Sequence, residues 1–140
     1  MAENCSNQPY LMLMKTSKAI QDRIKMELLN YKLNITEFSV LEVLYFQGIQ
    51  TIQQIVNSIL ISSGSMTYVI DKLEQRGLLK RNACPGDRRA IHVSLTDDGV
   101  ALMEKIMPEH RKLIDHIFES ITNEDEELFI KLLNKVSKSI

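Results

Sequence analysis

The chain has 140 residues, 44% of them hydrophobic and 25% charged, and this is enough apolar material for one globular domain with its own core. The formal net charge of −1 argues against a protein that coats nucleic acid regardless of sequence. No apolar run is long enough to span a membrane, and the first residues lack the basic and apolar regions of a secretory signal.

Charge is unevenly distributed along the chain. Residues 71–89 contain six Lys or Arg and three Asp or Glu, a net charge of +3. Residues 97–127 contain ten acids and three bases, a net charge of −7. A basic middle segment beside an acidic tail is typical of a local phosphate-binding surface on an acidic body.

The first predicted element is a long helix that begins near Pro9. Proline is favoured in the first turn of a helix, where its missing N–H costs no hydrogen bond. Apolar residues then recur at helical spacing as far as Tyr31 and occupy much of the helix circumference. Such a helix is normally buried by more than one neighbour, and we expect a partner chain to be one of them.

Three short helices are predicted next. Thr36 is expected to cap the first of them, which ends at Gly48. Thr51 and Gln54 have the spacing of a capping box at the start of the second. The third follows after a turn of three or four residues, about 60–63. Two short helices joined by so tight a turn make a helix-turn-helix.

The third of these helices is the predicted reading element. Ser62 or Ser63 is expected to cap its start, and Gly77 to end it in the left-handed conformation. Apolar residues between Met66 and Leu73 form one stripe. A solvated amphipathic helix would show the same pattern, but short polar groups beside one aromatic ring and one cation also suit close approach to DNA bases. The face away from the stripe carries Gly64, Ser65, Thr67, Tyr68 and Lys72.

A basic hairpin is predicted to follow this helix. Residues 79–84 and 90–95 can pair as strands, since apolar and polar residues alternate in the second of them. The connecting segment 85–89 contains proline and glycine and ends in two arginines, where it can reach phosphate or a minor groove. A merely solvated hairpin tip is the alternative. Helix, turn, helix and basic hairpin together indicate a winged helix.

The remaining residues are predicted to form terminal helices. Thr96 and Thr122 are expected to cap them, and Pro108 to kink or interrupt the first. The small reading head does not need this much apolar surface, so we infer that the first and last helices pack together across a twofold axis. The alternative is that they cover only the core of their own chain.

Three segments of the sequence carry a family resemblance. Together, Asp71–Leu79, Asp87–Ala90 and Val93–Gly99 resemble the MarR family of bacterial transcription regulators, and the likeness extends over nearly the whole chain. The resemblance implies an obligate homodimer on a pseudo-palindromic operator in double-stranded DNA. Members are usually repressors, released by a small phenolic or lipophilic ligand or by cysteine oxidation.

The implied fold is mainly α (α+β), a winged helix-turn-helix with flanking N- and C-terminal dimerisation helices. We expect a single MarR-type domain over residues 1–140. The winged helix-turn-helix would occupy 35–96, and the dimerisation helices 9–31 and 97–140.

The DNA-binding residues of the family are carried over by position. In the wing, Arg89 matches the arginine that enters the minor groove, and Asp87 the acid that holds it. Arg88 is an added cation expected on phosphate, and Gln53 and Lys72 are also expected to contact DNA. The residues expected in the major groove are Ser63, Gly64, Ser65, Thr67 and Tyr68.

The effector is less well defined by the sequence. Residues 61–65 and Cys84-Pro85 resemble the branch of the family that responds to quinones and organic hydroperoxides, which implies a stress-response role and a small aromatic or electrophilic effector. Peroxide sensors carry a reactive cysteine inside the first helix, whereas Cys5 precedes that helix here. Cys84 lies among arginines that favour its thiolate, which makes it a candidate redox residue, with an inert hairpin residue as the alternative.

Other functions are weighed against this one. A winged helix that binds protein and never DNA is the second hypothesis. No phosphate loop or nucleophile-base arrangement predicts an enzyme, and the three histidines lack metal-ligand spacing, so we expect no metal or other cofactor. Two cysteines make no disulfide framework, and we predict a cytoplasmic location.

Overall fold

The computed structural model of the chain describes residues 7–59, 65–84 and 86–140, with only the backbone at 84 and 87–90. The chain divides into two compact units, Met1–Lys105 and Ile106–Ile140. No helix within the described ranges is long and apolar enough to cross a membrane. The elements in chain order are α1 (Gln8–Leu28), a 3-10 turn (Leu29–Tyr31), α2 (Ile35–Gln47), β1 (Gln50–Thr51), α3 (Ile52–Ser58), α4 (Met66–Gln75), β2 (Leu79–Cys84), β3 (Asp87–Leu95), α5 (Asp97–Ile117) and α6 (Asn123–Ser137).

Helix α1 begins and ends with local polar contacts. The side chain of Asn7 accepts a hydrogen bond from the backbone N–H of Tyr10 at 2.9 Å, and a proline occupies the first turn as predicted. The last residues before Tyr31 tighten into the 3-10 turn, and Lys32 then takes a left-handed conformation with φ of 54°. This left-handed residue turns the chain toward α2.

The predicted cap of α2 is wrong. Asn34, not Thr36, precedes the helix in an extended conformation, and its side chain accepts from the backbone N–H of Glu37 at 2.8 Å. Glu37 in turn accepts from the backbone N–H of Asn34 at 3.0 Å, which completes a capping box. Thr36 lies inside the first turn and is buried. Gly48 ends the helix with a positive φ of 75°, as expected.

Helix α3 has the predicted capping box. The backbone N–H of Thr51 donates to the Gln54 side chain at 2.8 Å, and the Thr51 hydroxyl accepts from the backbone N–H of Gln54 at 3.1 Å. The predicted turn at residues 60–63 lies outside the described residues.

Helix α4 begins later than the sequence predicted. Its first helical residue is Met66 and its N-cap is Ser65, while the predicted caps Ser62 and Ser63 lie outside the described residues. Its end is as predicted, because Gly77 has a φ of 73°. The N–H of Gly77 donates to Glu74 at 2.9 Å and the N–H of the following residue to Leu73 at 3.0 Å, the two bonds of a Schellman motif.

The predicted hairpin belongs to a three-stranded antiparallel sheet with strand order β1-β3-β2. The second strand starts at Asp87 rather than at residue 90, so the arginine pair belongs to the strand backbone and not to the turn. The turn is correspondingly short, with Gly86 at a φ of 94°. Strand β1 was not predicted, because two residues carry no readable alternation.

The core of the first unit lies between α1, α2, α3, α4, the sheet and the first turns of α5. Each element contributes apolar side chains to this core, although some predicted inward positions, among them Leu13, Val56 and Ile91, are exposed. This burial is the main favourable term in folding. The fully buried members include Leu28, Val40, Leu41, Ile55, Ile70, Leu73, Leu79, Val93 and Met103.

The terminal helices have the predicted caps, and of the two outcomes predicted for Pro108, a kink or an interruption, the interruption does not occur. The Thr96 hydroxyl accepts from the N–H of Gly99 at 3.1 Å, and Thr122 forms a capping box with Asp125 at the start of α6. Helix α5 runs through Pro108 without interruption. A proline removes one hydrogen bond, and a long helix with intact turns on both sides can absorb that loss.

Candidate nucleic-acid interface

Helix α4 has two chemically different faces. Val69, Ile70 and Leu73 are buried in the core, which fixes how the helix is rotated about its axis. Thr67 and Tyr68 consequently point to solvent, and 62% of the Tyr68 surface is exposed. The sequence prediction of a buried stripe opposite a polar face is confirmed for the described part of this helix.

The exposed face carries an aromatic ring and a cation as a pair. The Lys72 ammonium lies 5.5 Å from the centroid of the Tyr68 ring, one helical turn away. At an exposed site such a cation–π contact contributes about 0.5–1 kcal/mol. The contact therefore favours side-chain conformations in which the Tyr68 ring and the Lys72 ammonium lie next to each other on the exposed face of α4.

The structure describes only some of the other helix-turn-helix residues that are predicted to contact DNA. Ser65 is exposed at the N-cap of α4, and Ser63 and Gly64 lie outside the described residues. Gln53 is exposed on α3, where its side-chain amide donates to Asn57 at 3.1 Å. Gln54 differs from its neighbour, because its amide oxygen is engaged in the capping box.

A cluster that the sequence analysis missed holds α4 against the sheet. Arg81 on β2 donates to Asp71 at 2.5 Å and to Glu74 at 2.9 Å, and its backbone N–H donates to the second oxygen of Glu74 at 3.1 Å. The hydrogen bond to Asp71 raises the pKa of Arg81, against the opposing effect of partial burial, so this side chain stays charged. We call these three residues the α4–wing clamp.

The α4–wing clamp had a weak signal in the sequence. Asp71 and Glu74 are three residues apart and therefore share one helix face. Arg81 follows Leu79 by two residues and so shares its inward-facing side of the strand. The sequence could not indicate that Arg81 pairs with Asp71 and Glu74, because this contact depends on how α4 packs on the sheet.

At the tip of the wing, residues 84 and 87–90, the structure describes only the backbone. Strands β2 and β3 pair in register from Leu79 opposite Leu95 to Ala83 opposite Ile91, with an irregularity before Cys84. The backbones of Asp87, Arg88 and Arg89 form the start of β3. Their side chains and that of Cys84 lie outside the description, so their roles stay predictions.

Comparison with known proteins identifies the chain. The MarR family model matches residues 33–91, which hold α2, the helix-turn-helix and most of the wing. The HTH-type transcriptional regulator MhqR of Bacillus subtilis is 40% identical over 91% of this chain and 88% of its own length. The chain belongs to the MarR family. The resemblance predicted from the sequence is confirmed.

Two solved structures of DNA-binding proteins share the fold. BpsR of Bordetella bronchiseptica, in a structure that concerns regulation of its DNA binding by 6-hydroxynicotinic acid, is 27% identical with a TM-score of 0.80, over 94% of this chain and 99% of that one. A MarR variant from E. coli complexed with operator DNA is 21% identical with a TM-score of 0.82, over 96% and 99% of the two chains. The predicted mainly α winged helix-turn-helix is confirmed.

Family membership decides between the two functional hypotheses. The protein is a DNA-binding transcription regulator of the MarR family, and its matched relatives are transcription regulators rather than enzymes. Among the side chains that the structure describes, no three His, Cys, Asp or Glu are grouped so that they could bind a metal ion.

Proposed function

We propose that this MarR-family protein is a homodimeric repressor that binds a pseudo-palindromic operator in double-stranded DNA. The observation that carries the proposal is the exposed face of α4, where Thr67, Tyr68 and Lys72 stand opposite a fully packed apolar stripe. An α-helix fits the major groove, and small polar and aromatic side chains can read base edges there.

The proposed contacts fall into three classes. Phosphate contacts from Lys72, Arg88 and Gln53 would place the protein on the duplex, whereas Arg89, held by Asp87, would enter the minor groove. Base edges in the major groove would meet the residues at the start of α4, namely Ser63, Gly64, Ser65, Thr67 and Tyr68.

Dimerisation is proposed from exposed apolar surface. Helix α1 exposes large apolar side chains along its length, among them Tyr10, Met12, Leu13, Met14 and Met26. Helix α6 exposes a second set, Leu128, Phe129, Ile130, Leu132 and Val136. Large exposed apolar surfaces are characteristic of obligate interfaces. A twofold dimer would present its two recognition helices to half-sites about 34 Å apart.

The effector is proposed as a small phenolic or quinone-like molecule, or as a reagent that modifies Cys84. The DNA binding of BpsR is regulated by 6-hydroxynicotinic acid, a small aromatic acid, so aromatic effectors occur among proteins of this fold. Release by such a compound would make the regulator part of a cytoplasmic stress response.

Fluorescence anisotropy tests this function directly. The protein is titrated into a labelled duplex from upstream of its own gene at two salt concentrations, with and without a quinone. Tight binding that falls steeply with salt and is lost on adding quinone supports the proposal, because neutralised phosphates release counterions. Failure on this duplex and in an unbiased genomic selection would contradict it. A Cys84→Ser variant that still responds fully to quinone shows that modification of Cys84 is not the trigger.

The wing contact is tested in the same assay. Arg89→Ala should weaken operator binding by about 1–3 kcal/mol, or roughly five- to 150-fold, if the arginine enters the minor groove. Arg111→Gln, which removes an exposed arginine from α5, is the matched control and should leave the affinity unchanged. Unchanged binding by Arg89→Ala would remove this residue from the interface.

A further inference from the structure

Arg76 connects the end of the recognition helix to a distant corner of the chain. Its guanidinium donates from Nη1 to the main-chain carbonyl of Lys32 at 2.8 Å and from Nη2 to that of Tyr31 at 3.2 Å. These partners are 44 and 45 residues away in sequence. Arg76 is itself the C-cap residue of α4.

The acceptors lie at the C-terminal end of α1 and its 3-10 extension. The last carbonyls of a helix have no partner within it, and they carry the negative end of the helix dipole. The backbone N–H of Arg76 also donates to Lys72, in the last turn of α4, at 3.1 Å. Arg76 is therefore joined to the end of α4 through its main chain and to the corner after α1 through its guanidinium.

The corner that Arg76 contacts is closely defined. Lys32 holds a left-handed backbone with φ of 54°, which a side chain with a Cβ adopts only when its surroundings impose it. Its N–H donates to Leu29 at 3.1 Å, and the N–H of Leu33 donates to the buried Leu28 at 3.3 Å. Because these bonds fix the corner to the end of α1, a side chain that binds the corner is held in a fixed position relative to α1.

We infer that Arg76 is a positioning residue, which fixes α4 relative to α1 and so sets the distance and angle between the two recognition helices of the dimer. The inference rests on the proposed function, in which α1 contributes to the dimer contact and α4 reads the operator. Arg76 acts through the Tyr31 and Lys32 carbonyls and not through contact with DNA.

The test compares Arg76→Gln with the unaltered protein on DNA of different half-site spacing. The probes are the operator, two variants with one base pair inserted or deleted between the half-sites, and an isolated half-site. We expect affinity for the operator to fall about tenfold, the preference among spacings to flatten, and half-site affinity to stay the same. The dependence of affinity on salt should be unchanged, because no phosphate contact is lost.

A second variant distinguishes a positioning role of Arg76 from a general loss of structure. Arg76→Lys keeps the charge but loses the fork that reaches two carbonyls, so it should fall between the unaltered protein and Arg76→Gln. Thermal unfolding of each variant is measured at the same protein concentration. A lower unfolding temperature with unchanged operator affinity and spacing preference would overturn the inference.

Two further variants separate the competing explanations. Lys72 is a proposed phosphate contact, so Lys72→Gln should lower the slope of log affinity against log salt concentration by about one per protomer. This decrease is the reference for Arg76→Gln. The same decrease with Arg76→Gln, together with equal weakening on all probes, would make Arg76 a phosphate contact and refute the inference. If Tyr68→Ala leaves operator binding intact, the placement of α4 in the groove is wrong. Loss with Tyr68→Ala but not with Arg76→Gln refutes the inference alone.

Discussion

At the scale of single residues, one glycine shows how closely the wing approaches α5. A Cβ built on Gly99 would lie 2.0 Å from the carbonyl oxygen of Leu78, which also accepts the N–H of Thr96 at 3.1 Å. Real contacts never come so close, and the obstructing atom is main chain and cannot rotate away. Position 99 therefore requires glycine for space and not for backbone freedom.

Gly99→Ala is expected to destabilise the protein despite its helical position. Alanine would gain about 1 kcal/mol of helix propensity, but forcing a methyl group against backbone costs about 1–3 kcal/mol, here at the upper end. We expect a net loss of about 1–2 kcal/mol in urea unfolding at fixed protein concentration.

The propensity contribution can be measured separately in the same helix. Ala101→Gly, at an exposed position of α5, should cost about 1 kcal/mol through propensity alone. If Gly99→Ala proves as stable as the unaltered protein, the approach of the Leu78 carbonyl has been relieved by a backbone shift and the spatial argument fails.

At the scale of elements, the recognition helix is held at two places by arginines. The α4–wing clamp joins α4 to β2, and Arg76 joins the end of α4 to the corner after α1. The buried stripe sets the rotation of the helix about its axis, whereas the two arginines oppose sliding and tilting. Such polar contacts at the edge of a core determine geometry more than stability.

Arg81→Gln tests the α4–wing clamp. Because Arg81 donates to two charged acceptors, its loss could lower stability considerably. However, Asp71 and Glu74 have 49% and 40% of their side-chain surface exposed, so solvent screens the interaction. We expect the free energy of unfolding to decrease by about 1 kcal/mol and the difference to shrink in high salt.

A double-mutant cycle assigns that loss to the pair. Combining Arg81→Gln with Asp71→Asn should cost less than the two single changes added together, since both remove the same bond. Lys18→Gln, which breaks the exposed pair between Lys18 and Asp22 on α1, is the control and should change stability by less. Additive losses would show that Arg81 and Asp71 are not energetically coupled.

At the scale of the whole molecule, much apolar surface on the long helices is left in solvent. Leu132 is 48% exposed and Phe129 42% exposed on α6, while Met14 is 55% exposed on α1. Isolated exposed apolar residues are ordinary, but a repeated stripe along a helix is not. The proposed dimer accounts for these stripes, since a second copy of the chain would cover them.

Sedimentation of the purified protein tests the dimer. We expect a dimer at micromolar concentration, and Leu132→Ser should shift the equilibrium toward monomer because it removes apolar area from the interface. Lys131→Ser, at the adjacent position about 100° around α6 and outside its apolar stripe, is the matched control. A monomeric unaltered protein, or equal effects of the two variants, would contradict the proposed contact surface.

Local patterns in the sequence were sufficient for most of the fold. The capping box of Thr51 and Gln54, the caps of the two terminal helices and the glycine ends of α2 and α4 depend on neighbours within a few residues, so they could be predicted. The cap of α2 was missed because Asn34 and Thr36 are both good caps and only the path of the chain selects between them. The interruption predicted at Pro108 was wrong, because a long helix with intact turns on both sides can absorb the loss of one hydrogen bond.

The candidate site, like the fold, was only partly predictable from local sequence patterns. By itself the sequence determined the family, the winged helix-turn-helix and the polar face of α4, because periodicity and short motifs record which side of an element is buried. Only the tertiary structure decided what holds that helix in place. Arg76 and Arg81 lie among other cations in the basic segment, and their acceptors are selected by distances that form only after the core has packed. Main-chain carbonyls such as those of Tyr31 and Lys32 have no side-chain signature, so no sequence pattern could have indicated them.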